Sequence, residues 1–124
     1  MGIKPAYSLY NTTKEVVLAE KLLVAGYFWQ RMAGLLAKKE LSGREGLLLI
    51  PCNAVHTMFM RYSIDVLFLN RELVVVKALG NLRPWRFACG GRVAFQTLEL
   101  KAGIIAATGT VAGDRLAIVK GPGV

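Results

Sequence analysis

The segment Cys52-Asn53-Ala54-Val55-His56-Thr57-Met58-Phe59-Met60-Arg61-Tyr62-Ser63-Ile64-Asp65 gathers most of the residue types that could do chemistry. It holds the chain's one histidine, one of its two cysteines, and an aspartate set in the apolar run Ile64 to Leu69. A carboxylate in such a strand must be ion-paired, hydrogen-bonded or protonated, because its charge has lost water. Asp65 is therefore either structural, accepting backbone N–H groups and fixing the turn Arg61-Tyr62-Ser63, or a functional acid or ligand. With residues 55–61 extended, His56, Met58 and Met60 share one face, and Asp65, beyond a turn, folds back beside His56. His56 is then a satisfied core residue, a proton carrier or a metal ligand.

Cys52, His56, Asp65 and Cys89 are four side chains of the type that ligates zinc, although their spacing lacks the close cysteine pairs of a standard finger. Cysteine–histidine nucleophilic catalysis needs a lowered thiol pKa, a base in reach and an oxyanion hole. The sequence supplies only the first two residue types. It has no Gly-x-Ser-x-Gly elbow, no Gly-x-Gly-x-x-Gly turn and no phosphate-cradling loop with its lysine. No complete catalytic set is legible, and no cofactor is called for.

A second stretch, Leu82-Arg83-Pro84-Trp85-Arg86-Phe87, interleaves cations and aromatics. Such a loop can stack on a partner's side chains or on bases and sugars; the plainer reading folds Trp85 over the edge of the core. The candidate binding set is His56, Met60, Arg61, Asp65, Arg83, Trp85 and Arg86. The expected function is a non-catalytic binding or assembly module presenting this basic-aromatic loop to a protein segment or a small anionic molecule. A hydrolase or metal protein built on the cysteines, His56 and Asp65 is the first alternative, and a nucleic-acid binder the second.

These residues need a frame, and turn chemistry divides the chain into short strands. Tyr7 to Asn11 reads as a first strand, and Asn11-Thr12-Thr13 as the turn after it. Val16 to Val24 reads as a strand pair or one long bent strand. Phe28, Met32, Leu35 and Leu36 form an apolar stripe that predicts a helix over 28–39, with Gly34 placed for close packing on a sheet. Strands follow at 46–50, 55–61, 64–69 and 72–79, with Asn70-Arg71 as a tight hairpin turn. Residues 81–92 read as a long loop, 93–100 as a strand, 103–113 as a Gly- and Ala-rich crossing, and 115–119 as the last strand. In Leu98-Glu99-Leu100, Glu99 points away from the leucines and is expected to meet a nearby arginine. Gly113-Asp114 is a turn in which the aspartate caps backbone amides. The sum is a mainly β, β-rich α+β fold: a sandwich or small closed barrel with one short packed helix.

The 124 residues correspond to a single domain, 1–124. With 54% hydrophobic residues and mean hydropathy +0.43 the chain is too apolar to be disordered. Its longest apolar runs still fall far short of the roughly 18–20 residues of a spanning helix. No signal peptide is visible behind Met1, so a cytoplasmic location is expected unless the N-terminus has been processed. Sixteen Lys and Arg against eight Asp and Glu give a net charge of +8, which suits an anionic partner of any class. The cations are scattered, with no run of five or six to mark a nucleic-acid arm. Two cysteines do not make a disulfide scaffold.

Taken together, these residues resemble the family called domain of unknown function 192 over about residues 25–119. The resemblance is carried by Arg31, Gly34, Leu35, Leu41 and Gly46-Leu47-Leu48. A central block follows: His56-Thr57, Met60-Arg61, Ile64-Asp65-Val66 and Phe68. The last blocks are Pro84-Trp85-Arg86, Leu98-Glu99-Leu100, Gly103, Gly109 and Gly113-Asp114. It implies a mainly β, jelly-roll-like sandwich or closed barrel with a short helix, and it makes Arg61 and Arg31 the candidate partners of Asp65. Many members carry an aromatic where His56 stands here, and some are exported or lipid-anchored. Members with the His-Thr and Pro-Trp-Arg blocks are reminiscent of proteins encoded among pilus and secretion genes. The resemblance implies no particular activity, substrate or cofactor.

Overall fold

The computed structural model describes residues 7–25 and 41–121. The helix expected over 28–39, together with Arg31, lies outside the described residues. Of the described residues 52% lie in strands, which fixes the class as β-rich α+β.

Among the described residues ten strands form three sheets. β1 (Tyr7–Asn11) lies between β10 (Leu116–Lys120) and β2 (Val16–Ala19) in an antiparallel three-stranded sheet. A five-stranded sheet has the order β3-β4-β9-β6-β7, made of β3 (Lys21–Ala25), β4 (Glu45–Leu49), β9 (Gln96–Lys101), β6 (Ile64–Leu69) and β7 (Val75–Leu82). All of its pairs are antiparallel except β3–β4, which is parallel. β5 (Ala54–His56) and β8 (Phe87–Cys89) form a two-stranded ribbon. One five-residue helix, α1 (Ile104–Thr108), interrupts the crossing between β9 and β10.

The five-stranded sheet is the middle layer. One face carries Leu48, Leu67, Leu69, Leu98 and Leu100, which pack with Leu9, Leu18 and Leu116 of the three-stranded sheet. The other face carries Leu47, Leu49, Ile64, Val66 and Phe68, packed with Val55 and Ala88 of the ribbon and with Met60. Every residue of β6 is consequently buried. Burying a strand on both sides favours the continuous apolar run Ile64 to Leu69 over strict alternation. The sandwich is present, whereas the closed barrel given as its alternative is not formed: β3 and β7 end the five-stranded sheet without pairing to each other.

Asp65 interrupts this apolar run. The residue is 1% exposed. One carboxylate oxygen accepts the backbone N–H of Asn81 at 2.8 Å, and the other accepts those of Gly103 at 3.1 Å and Ile105 at 2.8 Å. It thus ties β6 to β7 and to the start of α1. This is the amide-bonded aspartate expected as the structural reading, but the amides belong to segments 16–40 residues away, not to the turn at 61–63. Gly103 enters the helix at φ 104° and Gly109 leaves it at φ 68°, left-handed values open to glycine without steric cost.

Three loops differ from the sequence reading, each for a local reason. The strand expected over 55–61 stops at His56: the N–H of Met60 bonds to the carbonyl of Thr57 at 3.2 Å, and Phe59 turns to φ 67°. The Asn70-Arg71 hairpin is wider than two residues, because Asn70 shapes it with its side chain. Its Oδ1 accepts the N–H of Glu72 at 3.0 Å and of Val74 at 2.9 Å, and Leu73 takes the left-handed position at φ 64°. Part of the long loop 81–92 is strand, since β7 runs on to Leu82 and 87–89 pair with β5. Gly90 lets the end of the ribbon sit on the middle sheet, where a Cβ would lie 2.5–2.7 Å from Phe68 and Ala94 atoms.

A polar latch closes the far side. Asn11 donates to Thr110 at 3.1 Å and to Asp114 at 3.0 Å, and Lys14 pairs with Asp114 at 2.9 Å. Burial pushes the Asp114 carboxyl up. The bonds from Asn11, Lys14 and the Val111 N–H, with the lysine charge, outweigh it and hold the group below its ordinary range.

Replacing Asp65 by Ala leaves three backbone N–H groups without their acceptor. The expected loss in urea unfolding free energy is about 3 kcal/mol or more. Asp65→Asn, which keeps one acceptor oxygen, should lose less; equal stability of the alanine variant and wild type would contradict the tie.

Candidate functional site

The ribbon alternates as a strand pair over a core should. Val55 and Ala88 point into the apolar layer, while His56 and Phe87, directly opposite each other, point out, as does Cys89 opposite Ala54. The chain then turns at each strand end, and the two turns meet. Phe59 and Trp85 sit at their tips, with ring centroids 4.7 Å apart and planes tilted by 60°. Both are largely in water, Phe59 at 70% and Trp85 at 54% exposure, and Phe87 beside them is 70% exposed. Their backbones lie at φ 67° and 63°. A bulky side chain held there costs on the order of 1–3 kcal/mol, so the surrounding structure must impose it.

Thr57 imposes it. Its side chain is fully buried and joins the two turns on every available atom. The hydroxyl donates to the Arg83 carbonyl at 2.5 Å and accepts the Arg86 N–H at 2.8 Å. Its own N–H donates to the Arg86 carbonyl at 2.8 Å, and its carbonyl accepts the Trp85 N–H at 2.9 Å. A hydroxyl gives and receives through a single atom, which lets Thr57 bond to Arg83 and Arg86 at once.

The predicted site residues fall into two groups. His56, Arg61, Arg83, Trp85 and Arg86 are exposed, and all but Arg61 belong to the ribbon and the turn clasped by Thr57. His56 Nδ1 accepts the Met58 N–H at 3.3 Å. Met60 is in the core and contributes packing. Asp65 lies on the opposite face of the middle sheet, with Leu67 and Leu100, so that sheet separates it from the ribbon. The expectation that it folds back beside His56 fails because β6 alternation aims it at α1. Its partners are backbone amides and not Arg61. Met58 is exposed and Met60 buried, so the two do not share a face with His56 once the strand has ended.

The four candidate metal ligands are not brought together. Among the described residues no three His, Cys, Asp or Glu side chains gather so as to hold a metal ion. Both cysteines are free thiols: Cys52 donates to the Ala54 carbonyl at 3.1 Å, and Cys89 accepts the Gly91 N–H at 3.4 Å.

The candidate set named from the sequence omits Thr57 and Phe59, and it leaves Phe87 out although that residue ends the basic-aromatic stretch. Phe59 was hidden by the longer strand expected there. Glu99 was legible only in part. It does turn away from its neighbouring leucines, and by register it lies beside Leu47 and Val66 in the core layer under the ribbon. Among the described residues no arginine meets it, and burial pushes its carboxyl up to about 7.

The fold and its exposed edge define a small layered β protein with an aromatic and cationic rim. The chain belongs to the DUF192 family of uncharacterized ACR proteins, whose model matches residues 10–118, starting earlier than the residue 25 at which the resemblance begins to be legible. It is 38% identical over 114 residues to a UPF0127 protein of Pyrococcus furiosus, covering 87% of this chain and 95% of that one. A UPF0127 protein of Thermococcus sibiricus is 30% identical over 113 residues, covering 87% and 72%. Among solved structures, a protein of unknown function from Novosphingobium aromaticivorans superposes with a TM-score of 0.73 at 19% identity, over 90% of this chain and 83% of that one. A Sinorhizobium meliloti protein gives 0.74 at 20% identity, over 94% and 97%. These two share the fold. Among the described residues no helix is long and apolar enough to cross a membrane.

Two predictions follow from the buried groups. Glu99 ionises at 4.5 in an ordinary setting and near 7 here, so the native state holds a proton that the unfolded chain has released. Stability should fall as pH rises between those values, by about 3 kcal/mol in all, and level off above 7. Glu99→Gln should match wild type at pH 4 and exceed it at pH 8 in urea unfolding; a constant difference across that range would contradict the burial effect. Thr57→Val keeps the shape and removes the hydroxyl. It should cost about 1–3 kcal/mol and speed tryptic cleavage after Arg86, read by gel and mass spectrometry.

Proposed function

We propose that this protein is a non-catalytic binding or assembly module that captures an anionic partner on the rim formed by Phe59, Trp85, Phe87, Arg83 and Arg86. The observation that carries the reading is the clasped pair of turns. Strained backbone and a fully bonded buried threonine are used to hold two aromatic rings in water, where their exposure works against solubility. Exposed, preorganised aromatics with arginine beside them have the composition of interface hot spots. His56 adds a polar group next to Phe87 on the same outward face.

The anionic character of the partner follows from charge. Segments 52–63 and 81–95 carry Arg61, Arg83, Arg86 and Arg92 and no Asp or Glu. Among the described residues the ion pairs are Lys14–Asp114 and Arg44–Glu20, and neither involves any of these four arginines.

A suitable probe is anilinonaphthalene sulfonate, which combines aromatic rings with a negative charge. Saturable fluorescence enhancement is expected with the native protein. Trp85→Ala and Arg86→Ala should each abolish most of it while changing the melting temperature by only a few degrees, as for ordinary surface substitutions. Collapse of the melting temperature in Trp85→Ala would instead make Trp85 a core residue and end the proposal.

A further inference from the structure

Resting on that reading, we infer that the rim docks on an anionic bilayer surface, its aromatic tips entering the headgroup region and its arginines meeting lipid phosphates. The layering of the residues suggests this occupant. Phe59 and Trp85 stand at the ends of their turns, Phe87 beside them, and Met58 is exposed next to Phe59. Arg83 and Arg86 flank Trp85 in sequence, Arg61 follows the other turn, and all are exposed. Tryptophan and phenylalanine partition to the boundary between headgroups and acyl chains, while guanidinium groups bind phosphate. A bilayer offers both layers at once and requires no matching pocket for a tilted pair of rings.

Charge favours the same partner. The chain carries a net +8, and the rim segments contain cations only. Juxtaposed cations are drawn to anionic lipid, and that attraction is screened by salt. A second copy of the chain is a poor occupant, because a two-fold contact through this rim would bring Arg83 and Arg86 of one copy toward the same cationic edge of the other. The backbone adds a further reason: the turns at Phe59 and Trp85 are set by the Thr57 bonds before any partner arrives, so little backbone freedom is lost on insertion.

The test is flotation of the full chain with vesicles of equimolar phosphatidylglycerol and phosphatidylcholine, against vesicles of phosphatidylcholine alone. Wild type should float with the anionic vesicles, and the bound fraction should fall as salt is raised. Phe59→Ser and Phe87→Ser should each weaken binding on the order of tenfold with the melting temperature retained. Trp85→Phe should bind nearly as wild type but lose most of the blue shift in tryptophan emission that accompanies insertion. Anionic-vesicle binding unchanged in both serine variants would overturn the inference, since charge alone would then explain it. No flotation with either vesicle, alongside Trp85-dependent capture of anilinonaphthalene sulfonate, would also overturn it. That outcome would leave the binding rim standing with an acidic protein segment as its partner.

Discussion

A buried hydroxyl governs the exposed edge of this protein. Thr57 has no contact with solvent, yet it determines what solvent meets, because its hydroxyl and backbone join residues 83–86 to residues 57–60. Hydrogen bonds in a water-excluded place are costly to break, since each lost partner leaves a desolvated donor or acceptor. The four bonds therefore act as a unit, and the left-handed backbone at Phe59 and Trp85 is maintained by them. Local preference alone would relax both residues to negative φ and let the rings fold back.

The layers beneath give that clasp something rigid to stand on. β6 is buried on both faces, and its one polar residue, Asp65, is spent on three backbone amides. The carboxylate is as well satisfied as any group in the fold and faces away from the ribbon. The two carboxylates of the middle sheet are thus used differently. Asp65 is solvated by amides and serves as a structural tie, while Glu99 lies in the apolar layer with burial raising its pKa. Glu99 makes the middle layer sensitive to pH between about 4.5 and 7, whereas the lowered carboxyl of Asp114 keeps its latch charged into more acid conditions.

Much of the frame was legible from residues 7–11 and 64–69, whose strands begin and end where turn chemistry and apolar content place them. The break within 16–24 was also foreseeable, and it separates two sheets at Glu20. The helix α1 was not legible. Ile104 to Thr108 is short, bounded by glycines and without a capping side chain of its own; its first amides are held by Asp65 from a distant strand. Of the candidate residues, Arg83, Trp85, Arg86 and His56 lie exposed on or beside the ribbon. Asp65 and Met60 are buried, and the apolar environment of Asp65 indicated burial without saying which side of the sheet it faces.

By itself the sequence determined that this chain builds sheets with an apolar interior, that it carries an unbalanced positive charge, and that two cations and two aromatics share residues 82–87. Local propensity and composition suffice for those statements, since they depend on neighbours in the chain. Tertiary structure alone decided which aromatic rings face water and which groups the buried acids meet. Period-two alternation holds only while the backbone stays extended, and the points where extension ends, at Thr57 and Leu82, are set by bonds between segments more than twenty residues apart. The rim is a product of those long-range bonds, and so it could be assembled only in three dimensions.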